Sequence, residues 1–143
     1  MKNKPIVVEK IYPVPVSKVW KSITDKEQMK EWYFTIDDFN LREGAEFNFS
    51  VPDGDNIYHH RCIIKEIVPE KRLSHTWTHP TQSEGESVVT WNLESVEGGT
   101  KVTLIHQGVE NFIDAGPNFA YENYQAGWED ILETYLKDYL LKE

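Results

Sequence analysis

The sequence predicts an α+β fold: a seven-stranded antiparallel sheet, two short helices after its first strand, and one long C-terminal helix. Three observations carry this. Over residues 119–143, Tyr121, Tyr124, Trp128, Ile131, Leu132, Tyr135, Leu136 and Tyr139 recur three or four positions apart, the period of a helix with one apolar face. Most of the chain before it alternates with period two, in runs broken by turn residues. No second long helical pattern exists to pair with the first, so a helix roughly 35 Å long must lay its aromatic face on a sheet.

Length, charge and cysteine usage bound what the protein does. The 143 residues predict one domain spanning 1–143, large enough for a core without staples. Fifteen Lys+Arg against 24 Asp+Glu give a net charge of −9. That balance argues against duplex nucleic acid and anionic membrane surfaces, which need a basic patch. Cys62 is the single cysteine, so neither an intrachain disulfide nor a multi-cysteine metal site is available. Glu9 interrupts the apolar run of the N-terminus, which reads as neither signal peptide nor membrane span, and a cytoplasmic location is the expectation.

In chain order, Ile6 to Tyr12 is a β-rich run ended by Pro13 and Pro15. Val16, Val19, Trp20 and Ile23 then follow at helical spacing, with Pro15 tolerated at the helix start. Thr24-Asp25-Lys26-Glu27 reads as a capping box opening a second short helix that turns Met29 and Trp32 inward. Six strand-like segments come next. Residues 35–41 place Phe39 and Leu41 on one face, and 45–51 place Ala45, Phe47, Phe49 and Val51 together. Residues 58–68 form a long strand ended by Pro69. Residues 72–78 align Leu73, His75 and Trp77, 86–94 align Val89, Trp91 and Leu93, and 100–107 align Val102, Leu104 and His106. The connections are of hairpin length, which implies antiparallel neighbours. Residues 108–117 are too broken for a strand, and serve either as a cover over one end of the sheet or as a plain crossover. Gly127, inside the helical pattern, is read as close packing on a strand or as space beside a cavity.

Several short motifs then carry a resemblance. Pro15-Val16-Ser17-Lys18-Val19-Trp20 and Trp32-Tyr33 stand in the helix pair, and Gly44-Ala45-Glu46-Phe47 at the first sheet turn. Glu66-Ile67-Val68-Pro69 with Arg72-Leu73-Ser74-His75-Thr76-Trp77 forms a central hairpin. Gly99-Thr100-Lys101-Val102-Thr103-Leu104 and Gly127-Trp128 with Ile131 and Leu132 complete the series. In order and spacing they resemble the helix-grip fold of the START-like, or SRPBCC, superfamily. Within it they resemble the branch similar to the C-terminal domain of the activator of the ninety-kilodalton heat-shock ATPase. Two positions depart from that pattern: Ala45 replaces the second glycine of the turn, and Cys62 stands where many relatives carry glycine. The resemblance implies a curved sheet wrapped around the C-terminal helix. It implies no single chemistry, since members bind apolar ligands, act as cyclases or hydratases, or contact a chaperone.

The residues themselves offer little catalysis. His75 and His79 lie four apart on a strand, roughly 13 Å from one another, and are no helical zinc pair. His59 and His60 point to opposite faces of a regular strand. His106 ends a strand on its apolar face, where it is either a satisfied core histidine or a polar anchor or base beside a ligand. Cys62 reads as a small buried hydrophobe, and Glu66 as a rim carboxylate or the partner of a base. Neither G-x-S-x-G nor a phosphate-binding glycine loop is present. No cofactor, metal ligand set or catalytic residue is assigned.

Five Trp, seven Tyr and six Phe are many for this length. The expected ligand-lining set is Trp32, Phe39, Phe47, Phe49, Cys62, Ile64, Trp77, Trp91, His106, Tyr121, Tyr124 and Trp128, between the sheet and the first turns of the long helix. The favoured function is therefore binding of an apolar or aromatic small molecule. Two alternatives stand beside it: a protein-interaction module serving as a chaperone cofactor, and a cavity enzyme of polyketide-cyclase type. The chaperone alternative ranks lower because such activators generally carry a further N-terminal domain, whereas here the first strand begins near residue 6. The enzyme alternative ranks lower because no convergent acid–base pair is legible.

Overall fold

A computed structural model describes residues 5–53, 56–115 and 121–142. Strand β1 (Ile6–Tyr12) leads into helices α1 (Val16–Thr24) and α2 (Lys26–Trp32). Strands β2 (Glu46–Asp53), β3 (Asn56–Val68), β4 (Arg72–Trp77), β5 (Ser87–Val96) and β6 (Gly99–Gln107) follow. A 3₁₀ segment (Val109–Ala115) then precedes a helix in three parts: α3 (Tyr121–Asp130), a π-helical stretch (Ile131–Leu136) and α4 (Lys137–Leu141). No helix among the described residues is long and apolar enough to cross a membrane.

The helix pair begins where the backbone loses a donor. Pro15 is extended, with φ −66° and ψ 153°, and α1 starts at the next residue. The corner between the helices differs from the expected capping box. Thr24 Oγ1 donates to the Trp20 carbonyl at 2.7 Å, so its hydroxyl points back along α1. Asp25 caps α2 instead, its Oδ1 accepting the Glu27 amide at 3.1 Å. Met29 and Trp32 are buried, as their spacing predicts, and Trp32 Nε1 donates to the Ser22 carbonyl at 2.8 Å.

The sheet is antiparallel in the order β1-β6-β5-β4-β3-β2. Its two edges are consecutive strands in the chain, joined by α1, α2 and residues 33–45. A register shift between Ile64 and Glu66 bends β3, as an extra residue in one strand of a pair does. The inner face carries Phe47, Phe49, Cys62, Ile64, Leu73, Trp91, Val89, Leu104 and His106, all buried.

The described residues contain six strands rather than seven. Residues 35–41 form no strand, for a local reason. Asp38 lies over the β2 edge, its Oδ1 accepting the Asn48 amide at 3.1 Å and its Oδ2 accepting Asn48 Nδ2 at 3.2 Å. A side chain thus satisfies the edge donor that a seventh strand would use. Ile36 and Phe39 still drop into the core from a turn closed by Phe39 N donating to the Ile36 carbonyl.

The C-terminal helix buries Trp128, Leu132, Leu136 and Leu140. Steps of four overshoot a full α-helical turn by ~40°, at about 100° per residue. A π segment turns less per residue, so this stripe stays in line. The same change of pitch turns Tyr135, expected on the buried face, outward, where it is 54% exposed. Tyr12 Oη donates to the Leu132 carbonyl at 2.7 Å, and Lys10 pairs with Glu133, fastening β1 to the π segment. Gly127 faces open space and meets no neighbour, so neither close packing on a strand nor a cavity wall explains it.

Candidate functional site: the aromatic inner face

The sheet and helices enclose a run of rings. At one end Trp32 stacks on Tyr33 with centroids 4.9 Å apart and meets Trp91 edge-on at 6.4 Å. Phe39 and Phe47 meet at 5.1 Å, and Phe47 meets His75 at 5.2 Å. These residues, with Ile23, Met29, Ile36 and Leu73, line an enclosed cavity of about 10 Å³, enough for about one water. Four members of the expected lining set, Trp32, Phe39, Phe47 and Trp91, therefore share one cavity. It lies under the helix pair, not at the first turns of the long helix.

The middle of the run is centred on Phe49. Phe34 stacks on it at 4.7 Å, His60 at 4.5 Å with an interplanar angle of 4°, and Trp77 meets it edge-on at 5.7 Å. An open cleft of about 390 Å³ borders Phe49 and His60 from outside, walled by Asn48, Ser50, His59, Pro80 and Thr81. Across this edge Ser50 Oγ and His59 Nδ1 are hydrogen-bonded at 2.7 Å, so His59 and His60 do take opposite faces. Cys62 and Ile64 are buried beside this group, and burial pushes the Cys62 thiol well above its usual range. It is a packed side chain rather than a thiolate.

The far end meets the long helix. Trp77 and Trp128 contact at 5.3 Å, and His106 lies edge-on to Tyr124 at 5.3 Å. The hydrogen bonds around His106 fix its tautomer. Trp128 Nε1 is donor-only and gives its proton to His106 Nδ1 at 2.9 Å. Ser87 Oγ donates to the Trp77 carbonyl at 2.8 Å, which leaves it to accept from His106 Nε2–H at 2.7 Å. His106 is therefore a neutral core histidine with both nitrogens engaged, and burial, with His75 and His79 nearby, lowers its pKa to about 3. Of its two expected roles the structure gives it the structural one. His79 Nε2 and Tyr124 Oη are hydrogen-bonded at 2.6 Å, and burial raises the Tyr124 pKa. Phe112, from the 3₁₀ segment, is fully buried and meets His79 at 4.8 Å and Tyr124 at 5.9 Å. Residues 109–112 thus close this end of the sheet. Tyr121 is half-buried against the core, its hydroxyl 3.4 Å from the Pro5 carbonyl.

Sequence reasoning missed Tyr33, Phe34, His60, His79 and Phe112 as members of this interior. Trp32-Tyr33-Phe34 is three aromatics in a row, and that run was the available signal. Glu66 pairs with a base, accepting from Arg72 Nη1 at 3.1 Å on both oxygens. Among the described residues no group of three or more His, Cys, Asp or Glu side chains is placed to hold a metal ion.

A six-stranded antiparallel sheet curved about a C-terminal helix, with a helix pair joining its edges and an aromatic interior, defines a helix-grip domain. Solved structures share it. Protein MLL2253 from Mesorhizobium loti is 28% identical, with TM-score 0.80 over 96% of each chain. Protein CV1439 from Chromobacterium violaceum is 18% identical, with TM-score 0.82 over 100% of each chain. DynU16, a protein in the dynemicin biosynthetic locus, is 23% identical, with TM-score 0.77 over 96% of this chain and 47% of its own. No curated protein matches the sequence. The family model described as Activator of Hsp90 ATPase homolog 1-like protein matches residues 13–141, and this chain belongs to that family.

Proposed function

We propose that this domain binds an apolar or aromatic small molecule against the inner face of its sheet. The carrying observation is the continuous aromatic interior, bordered at Phe49 and His60 by an open cleft of about 390 Å³. That volume falls in the range of small-molecule sites, and mostly apolar walls with few polar groups are what such sites use. Of the residues the sequence nominates, Phe49 lines the cleft and Trp77 packs edge-on against Phe49 behind it. The enclosed cavity of about 10 Å³ under the helix pair is too small for a ligand, so binding requires side chains at the cleft to move inward or aside. The neighbour in the dynemicin biosynthetic locus supports a small-molecule role for the fold, not the identity of the ligand.

A thermal-shift screen of flat aromatic and isoprenoid compounds tests this. A ligand that binds only the folded state stabilises it by about 2.7 kcal/mol at a hundredfold excess over its dissociation constant. Hits should weaken in Phe49→Ala, which removes the ring at the cleft. A screen without hits contradicts the proposal.

The family description supports a second reading, contact with the heat-shock ATPase as a cofactor. Stimulation of that ATPase by the purified protein would favour it over ligand binding.

A further inference from the structure

Three buried polar atoms along the run of rings have no hydrogen-bond partner among the described residues: Tyr33 Oη at the helix-pair end, and His60 Nδ1 and Trp77 Nε1 in the middle. Trp77 and His60 are 5% and 7% exposed. The rings carrying these atoms are contiguous. Tyr33 touches Phe34 at 4.4 Å, Phe34 and His60 both stack on Phe49, and His60 meets Trp77 at 4.9 Å. Buried polar groups are nearly always satisfied, and a concentration of exceptions in one place calls for something to satisfy them. The same cluster borders the open cleft at Phe49 and His60.

The chemistry of the atoms names the complement. An indole N–H only donates, and a tyrosine hydroxyl with no acceptor near it has a proton to give. Burial holds the Tyr33 hydroxyl well above its usual pKa, so it keeps that proton, and the same cause lowers His60 to about 3, so its ring is neutral. The group wanted is a hydrogen-bond acceptor without charge, since a neutral, aromatic-walled site gives an anion no counter-charge. We propose that this cluster is the polar end of the ligand site, and that it selects a planar aromatic compound bearing a carbonyl oxygen, received by Tyr33 Oη–H and Trp77 Nε1–H. This rests on the small-molecule reading above and adds the ligand's chemical class and its two donors.

Fluorenone and fluorene test it, being planar, nearly isosteric, and different in one carbonyl. Titration calorimetry on the full chain should show fluorenone bound at least tenfold more tightly. Tyr33→Phe, which keeps the ring, should bring that ratio down at least threefold while leaving fluorene unchanged. In amide NMR spectra of the unaltered protein, the Trp77 indole proton should move downfield with fluorenone and not with fluorene. Equal affinity for the two compounds overturns the inference and leaves the small-molecule reading standing. A ratio unmoved by Tyr33→Phe together with an unshifted Trp77 signal also overturns it. Binding of neither compound overturns it as well, and the broader screen then decides the underlying reading.

Discussion

Trp128 shows how one side chain serves both packing and polar satisfaction. Its ring meets Trp77 and Trp91, and its N–H sets the tautomer of His106. Trp128→Ala should therefore cost at least the ~3–5 kcal/mol of a large-to-small aromatic change in a core. It also strips His106 Nδ1 of its donor, which adds to the loss. A denaturant titration measures it, and a loss below about 1 kcal/mol would place the ring in a loose pocket. Burial of Trp128 was legible from its place in the helical stripe. Its bond to His106 was not, because which histidine nitrogen meets which donor depends on a register 22 residues away. The same limit hid Phe34 and His60, whose contacts cross between the residue run after α2 and strands β2 and β3, and Tyr33, which reaches Trp91 on β5.

At the scale of elements, alternation and turn chemistry located strands β1 to β6 to within a few residues. The failures came where a side chain replaced a backbone partner. Asp38 does so at the β2 edge, and residues 35–41 look strand-like only when that bond is unknown. Asp25 does so at the helix corner, taking the cap from Thr24. The long helix failed in phase rather than in kind, because a π stretch leaves no mark that a fixed helical period detects. Gly127 belongs to this scale too. It lies in α3 with nothing near its missing Cβ, so it costs helix propensity without a packing return. Gly127→Ala should raise stability by about 1 kcal/mol, seen as a higher denaturant midpoint at unchanged slope. A destabilised variant would mean that the position is crowded.

For the whole molecule, the interior makes a prediction about pH. Burial lowers His60 and His106 to about 3, with His79 adding to the effect at both and His75 at His106. Burial likewise lowers His75 and His79 to about 4. Each ring is neutral in the fold, while in the unfolded chain it protonates near 6.5. The unfolded state therefore binds more protons as pH falls below that value. The stability that the neutral rings contribute is whole above about pH 6.5 and is lost progressively toward pH 3–4. A melting temperature that declines steadily from pH 7 to pH 4 is expected, and a flat profile would mean that these imidazoles reach solvent.

If the aromatic inner face receives a small molecule, the tryptophan indole signals will report it. Trp32, Trp77, Trp91 and Trp128 are buried at different points along that face, while Trp20 lies on α1 at its margin. The measurement is an amide NMR titration of the labelled protein with the best compound from the thermal-shift screen. The Trp77 signal should move most, since this ring packs on Phe49 beside the cleft, and Trp20 should move least. A saturating titration that shifts only Trp20 and surface amides, with all four interior signals unmoved, would contradict it.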